Sequence, residues 1–258
     1  MGLFLFAIAL IAADDGPVLK KWTVGGQERE ALVVAPTKTI DEAAGHPVIF
    51  AFHGHGGSMR NTHRAWALHK LWPEALVVYP QGLPTPGKFD PGGQRPGWQN
   101  RPGQQDDRDL KFVDAIWESL GSEYKLDPKR VFATGHSNGA GFTYCLWYAR
   151  PDRFTAFAPS AASPRIPVGK ALPPRPVLHI AGKNDKTVPF ADQEKTIAGV
   201  KTNNGCDEKG REWAPGCLKY ESTKGAPVVI MIHEGDHKYD ADAPARIVRF
   251  FQEAVSPP

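Results

Sequence analysis

Gly135-His136-Ser137-Asn138-Gly139 sets one serine between two glycines. An apolar segment, Val131 to Thr134, precedes it, and Phe142, Cys145 and Leu146 recur at helical spacing after it. The predicted order is therefore strand, sharp turn, helix. A turn that tight strains the serine backbone, and a Cβ at 135 or 139 would collide with the neighbouring chain. The hydroxyl then projects at a helix N-terminus, where outward-pointing N–H groups favour anions. A serine alcohol is a weak nucleophile at neutral pH, so it needs a base, and the base needs an orienting acid. Such a set performs acyl transfer through a serine ester. Gly-x-Ser-x-Gly can arise by chance in a glycine-rich chain, and its context is what argues for chemistry.

This context resembles the nucleophile elbow of the α/β-hydrolases, which implies the order Ser…Asp/Glu…His from loops after later strands. Asp185 suits the acid. It follows the apolar run Pro176-Val-Leu-His-Ile-Ala181, at the carboxyl end of a strand where site residues of open sheets collect. A turn role for the Asn184-Asp185 pair is compatible with that. Asp192 and Asp207 are less well placed and read as solvated. His237 is the strongest base, four residues beyond the apolar run 226–233. His233 is nearer, inside that run, and stays open as an alternative. His179 precedes Asp185 and breaks the order, and Asp236 points away from its neighbour His237. Two backbone N–H groups complete the set as oxyanion donors, that of Asn138 and that of His55 in His53-Gly-His-Gly-Gly57. The imidazoles of His53 and His55 also read as packing and hydrogen-bonding groups.

These residues need a scaffold. Two strands, 21–24 and 30–35, flank Gly25-Gly26, and buried strands follow at 47–52 and 74–79. Trp66, Leu68 and Leu71 mark a helix between the latter two. A long Pro/Gly/Gln loop, 81–105, contains Trp98. Asp106-Asp107 start a helix carrying Leu110, Val113, Ile116, Trp117, Leu120 and Tyr124 at spacings of three and four. Strands at 131–134, 154–159, 176–181 and 226–233 alternate with helices after the elbow, around 191–201 and from about 243 to 254. The predicted fold class is α/β, a doubly wound, mostly parallel sheet flanked by helices.

Composition bounds the rest. A chain of 258 residues with 41% hydrophobic and 23% charged residues suits one globular α/β domain, here 14–258. The net charge of +3 comes from scattered basic residues, which argues against nucleic-acid binding. The apolar run Leu3 to Ala13 is too short to span a bilayer. It reads as a signal peptide over 1–13, although no Lys or Arg precedes it, and an ordinary buried strand is the other reading. Export would suit a disulfide between Cys206 and Cys217 across a short polar loop, worth about 2–3 kcal/mol. Cys145 reads as a core residue. The cysteines lack metal-site spacing.

The chain further resembles the secreted polyhydroxybutyrate depolymerase, feruloyl esterase and acetyl xylan esterase group, known as carbohydrate esterase family 1. The likeness spans about 20 to 255. It rests on Val24-Gly-Gly-Gln-Glu-Arg-Glu-Ala-Leu-Val33, Phe52-His-Gly-His-Gly-Gly-Ser58 and Tyr79-Pro-Gln-Gly82. It continues through Asp107, Tyr124-Lys-Leu-Asp-Pro-Lys-Arg-Val131, the elbow and Phe154-Thr-Ala-Phe-Ala-Pro159. Relatives often show Gly-His before an aromatic, where this chain has Gly-Asp-His-Lys-Tyr. The resemblance implies Ser137, Asp185 and His237 as catalytic residues in an exported esterase, secreted or periplasmic, that needs no cofactor or metal. A monomer acting on small-molecule or polysaccharide esters is expected. A prolyl-oligopeptidase-type peptidase lacks its gating domain here, and a non-catalytic binding protein would not need the intact set. Trp98 reads equally as a substrate wall or as a plug in the protein's own surface. His136 and the Asn138 side chain are the groups beside the serine that could influence which ester is chosen.

Overall fold

The computed structural model describes residues 16–38, 40, 44–164 and 172–254. The predicted signal peptide at 1–13 lies outside the described residues. Strand β1 (Val18–Val24) turns through Gly25-Gly26 into β2 (Gln27–Val34). Both glycines have positive φ, 57° and 77°, which is why the turn carries them. Strand β3 (His46–Phe52) leads to helices α1 (Met59–Trp66) and α2 (Leu68–Leu71), then β4 (Leu76–Pro80). The long loop contains a two-residue pair, β5 (Leu83–Pro84) with β6 (Pro96–Gly97). Helix α3 (Arg108–Glu123), β7 (Leu126–His136), α4 (Asn138–Ala149), β8 (Ala156–Ser160) and β9 (Val177–Gly182) follow. Helix α5 (Phe190–Asn204), the hairpin β10 (Arg211–Ala214) and β11 (Cys217–Tyr220), β12 (Val228–His233) and α6 (Ala243–Glu253) complete the order.

One ten-stranded sheet runs β1-β2-β4-β3-β7-β8-β9-β12-β11-β10. Its centre, β4 to β12, is parallel, with antiparallel pairing at each edge. The central runs are continuously apolar because helices cover both faces. Alternation along each strand divides them. Phe50, Phe52, Val131, Ala133 and Phe157 face α3, α4 and α5. Ile49, Ala51, Val77, Phe132 and Leu178 face α1, α2 and α6. This is the doubly wound α/β arrangement that the sequence predicts.

Three local expectations change. The elbow strand is eleven residues long rather than four, because its start pairs back from Leu126 to His46. Asp107 does not cap α3 with its side chain. Its carboxylate instead accepts from Gly103 N (2.7 Å) and Gln99 Nε2 (2.8 Å), closing the end of the long loop. Cys206 and Cys217 are both free thiols, not a disulfide. Cys217 is buried among Ala214, Val229 and Met231 on one face of the sheet, whereas Cys206 packs against the cluster on the other. The sheet separates them. Cys145 is buried in the core as read. Among the described residues, no helix is long and apolar enough to cross a membrane.

Candidate active site

From β3 the chain steps to β4 on one side, while β7 lies on the other. Such a reversal of strand order opens a crevice beyond the carboxyl ends of the strands. The Gly-rich loop leaves β3 there and Ser137 leaves β7 there. Ser137 has φ 55° and ψ −118°, a strained backbone for a residue with a side chain. A Cβ at Gly135 would run into the backbone of Gly139, and one at Gly139 into the carbonyls of Phe52 and His53. The glycines therefore do what their spacing predicts. Ser137 N donates to Ser160 O (2.8 Å), and Ser137 O accepts from Gly141 N (2.9 Å) as α4 begins.

Asp185 lies three residues past β9 with its carboxylate fully shielded. Oδ1 accepts from Thr187 N (2.8 Å) and Val188 N (2.9 Å). Oδ2 accepts from Gln193 Nε2 (3.1 Å) and lies 2.8 Å from His237 Nδ1. The other ring nitrogen of His237, Nε2, is 2.8 Å from Ser137 Oγ. With Nδ1–H donating to the carboxylate, Nε2 is left as the acceptor for the serine proton. The structure thus brings Ser137, His237 and Asp185 into one hydrogen-bonded line. His233 turns elsewhere, accepting from Gly235 N (3.2 Å) and lying 3.8 Å from Asp240 Oδ2. Asp236 accepts from Lys238 N at 3.0 Å.

The Gly-rich loop is fixed from beneath. His53 is buried, which pushes its pKa down to about 4, so the ring is neutral. Its Nδ1–H donates to Gly54 O (2.7 Å), and Nε2 accepts from Gly82 N (3.0 Å). A Cβ at Gly54 would touch His136 O at 3.4 Å, so this loop lies against the elbow. His55 turns its ring towards the long loop, with Nε2 3.2 Å from Asp90 Oδ2. Asp90 also accepts from Gln94 N (3.2 Å) and Arg95 N (2.8 Å), which shapes the loop tip. As the first residue of α4, Asn138 has a backbone N–H with no acceptor inside the helix. His55, Ser137 and Asn138 together line a cavity of about 450 Å³, with Phe89, Gln104 and Val188 among its other walls.

Of the two candidate substrate contacts, the structure decides against Trp98 and places His136 outside the cavity lining. Trp98 is 0% exposed and cannot touch a ligand. Its ring packs between Phe52, Phe142 and His53, and Nε1 donates to His53 O (2.9 Å), so it is the plug. His136 is not in the cavity wall. It backs the His237 ring at 5.1 Å between centroids, and its Nδ1 is 3.2 Å from Ser160 Oγ. Burial, with the neighbouring His237, lowers its pKa to about 4. The Asn138 side chain is also committed away from the cavity, to the backbone of Trp98. The group that sequence reasoning missed is Phe89, 68% exposed on the loop tip at the cavity wall. One phenylalanine in a Pro/Gly stretch carries no periodic signal, so only the folded loop reveals it. Among the described residues, no group of three or more His, Cys, Asp or Glu is placed to hold a metal ion.

No family model matches the chain. A probable feruloyl esterase C of Aspergillus clavatus is 26% identical over 226 residues, which is 86% of this chain and 80% of that protein. Feruloyl esterase C of Emericella nidulans is 31% identical over 167 residues, 64% of this chain and 58% of that protein. A bifunctional acetylxylan esterase/xylanase of Neocallimastix patriciarum is 27% identical, and the match spans 25% of its length. Among solved structures, a ferulic acid esterase superposes with a TM-score of 0.68 at 14% identity, over 92% of this chain and 98% of that one. The acetyl xylan esterase from Aspergillus awamori gives 0.63 at 13% identity, over 90% and 99%. The resemblance to the feruloyl and acetyl xylan esterase group is found in sequence as well as in fold, and the fold is that of the α/β-hydrolases.

Proposed function

We propose that this chain, an α/β-hydrolase-fold serine esterase, cleaves feruloyl or acetyl esters of plant polysaccharide through an acyl-enzyme on Ser137. The observation that carries the mechanism is the position of His237, 2.8 Å from Ser137 Oγ and 2.8 Å from Asp185 Oδ2. His237 Nε2 takes the serine proton as Oγ attacks the ester carbonyl. The amides of His55 and Asn138 hold the tetrahedral oxyanion, beside the helix N-terminus that favours negative charge. The intermediate collapses as His237 protonates the leaving sugar hydroxyl. Water then enters, loses a proton to the same nitrogen, and releases the acid. Asp185 keeps the imidazole in one tautomer throughout and stabilises the imidazolium.

The substrate class draws on the relatives and on the cavity. About 450 Å³, open at an exposed phenylalanine, is more room than an acetyl group fills. Export and action as a monomer belong to the same reading. Support for export is in the sequence, where the apolar run 3–13 ends in Ala-Ala-Asp-Asp. The mature chain is then expected to begin near Asp14, which N-terminal sequencing of secreted product checks.

The decisive experiment pairs fluorophosphonate labelling with turnover of methyl ferulate, acetylated xylan, p-nitrophenyl acetate and hydroxybutyrate oligomers. Labelling is expected in the parent and absent in Ser137→Ala. His237→Ala is expected to lose roughly 10⁴–10⁶ in kcat, and His233→Ala to stay near the parent. A folded parent that takes no label and cleaves none of these esters would sink the proposal.

A further inference from the structure

Behind Asp185 lies a polar chain that the acyl-transfer mechanism does not use. Gln193 on α5 is 0% exposed. Its Nε2 donates to Asp185 Oδ2 (3.1 Å) and to Val188 O (2.8 Å). Two acceptors on that nitrogen fix the amide orientation, because the flipped amide would set its oxygen against a carboxylate and a carbonyl. His179 in β9 is also 0% exposed, and its Nδ1 lies 2.7 Å from the Tyr144 hydroxyl on α4. Two buried atoms then remain without a close partner, His179 Nε2 and Gln193 Oε1. They are complementary: a ring N–H and an amide oxygen. Burial lowers the His179 pKa to about 4, and the nearby Gln193 side chain partly opposes that shift. A neutral ring with its proton on Nε2 accepts at Nδ1, and the Tyr144 O–H then donates there.

Gln193 donates to Asp185, while Tyr144 and His179 pair behind it, with His179 Nε2 and Gln193 Oε1 not in hydrogen-bond contact. His237 donates to Asp185 from the other side. Tyr144 stands on α4, the helix that begins at Asn138.

We propose that Gln193 is a positioning residue for ester hydrolysis: backed by His179 and Tyr144, it holds the Asp185 carboxylate in the orientation that fixes the His237 tautomer. The inference rests on the acyl-transfer reading of Ser137. Gln193 does not face the cavity and touches no substrate. It acts by donating to the same oxygen that His237 uses, so that the charge on Oδ2 is shared between two donors.

The test is Gln193→Met, which keeps side-chain length and removes the donor, alongside Tyr144→Phe. In Gln193→Met, His237 is left as the one side-chain donor to Asp185 Oδ2, so the imidazolium is stabilised. The acidic limb of the kcat/KM profile for p-nitrophenyl acetate is expected to move to higher pH. At neutral pH kcat is expected to fall by about 10–100-fold, as for loss of a hydrogen bond to a charged group, with KM little changed. Tyr144→Phe is expected to shift the limb the same way by less, and it carries the test if Gln193→Met fails to fold. The low-field proton resonance of His237 Nδ1–H gives a readout without turnover, and it is expected to move in both variants. A folded Gln193→Met with parent resonance and parent acidic limb overturns the proposal, whatever its kcat. Should the parent hydrolyse no ester, the acyl-transfer reading fails, while the resonance still decides whether Gln193 sets the Asp185–His237 bond.

Discussion

Asn138 grips the Trp98 peptide from both sides: its Oδ1 accepts the Trp98 N–H at 2.7 Å and its Nδ2 donates to the Trp98 carbonyl at 2.9 Å. The residue after the nucleophile therefore fastens the long loop that forms the cavity wall. Asn138→Ala keeps the backbone N–H intended for the oxyanion and removes this grip, together with the bond from Nδ2 to Asn100 Oδ1 (3.1 Å). Two buried peptide groups lose their partners, at about 1–3 kcal/mol each. Melting is expected to fall by about 2–4 °C for each kcal/mol lost. Limited proteolysis is expected to cut within 81–105 in the variant and not in the parent.

Phe89 has no comparable anchor. Its ring is 68% exposed at the cavity wall, and its backbone neighbour Asp90 is held by His55. An aromatic so placed can lie over a phenolic acyl group, an interaction worth about 0.5–1.5 kcal/mol beyond the area it covers. Phe89→Ala is expected to raise KM for methyl ferulate by roughly 3–10-fold, the equivalent of that energy, and to leave KM for p-nitrophenyl acetate near the parent. Equal changes for both substrates would place the ring outside the acyl site.

Arg29 and Asp109 form a fully buried ion pair, 2.8 Å apart and at most 1% exposed, with the guanidinium over the Phe112 ring at 4.2 Å. Asp109 Oδ2 also accepts from Gln99 N (2.8 Å), so the pair ties β2, α3 and the long loop together. Removing one partner strands the other charge. Asp109→Ala is expected to cost about 3–5 kcal/mol in urea unfolding, and Arg29→Met with Asp109→Leu to recover most of it.

Acid should weaken the fold through its buried histidines. Burial holds His53 and His179 at about 4, against 6.5 for the ordinary ring. Above about pH 6.5 both states are neutral and nothing is lost. As pH falls from about 6.5 towards 4 the unfolded chain takes up protons that the folded chain refuses, so stability declines through that window. The two residues together withdraw roughly 6 kcal/mol at about 1.4 kcal/mol per pH unit each. Denaturant titrations across this range are expected to show a falling midpoint, and His53→Gln is expected to flatten the slope where it folds.

The sequence made some of this site legible and hid the rest for physical reasons. Ser137, Asp185 and His237 each follow an apolar strand, so local pattern and topology were enough to single them out. Trp98 was not readable, because an aromatic in a Pro/Gly loop looks the same whether it meets solvent or the core. Asn138's grip joins residues forty apart, and Gln193 sits in a helix that reads as mostly polar. The cysteine pair failed for a related reason. Spacing gives the length of the intervening loop, but the face on which each thiol lies depends on the unforeseen β10–β11 hairpin.

The backbone of Ser137, at φ 55° and ψ −118°, has a consequence for the durability of the protein. That conformation disfavours any side chain, at a cost on the order of 1–3 kcal/mol, and it is relieved only by losing the Cβ. Ser137→Gly is therefore expected to melt above both the parent and Ser137→Ala, which keeps the Cβ. Activity and robustness pull in opposite directions at this one position. The most heat-resistant single change at the elbow is expected to be an inert protein, and a screen for thermal tolerance alone would select against the nucleophile.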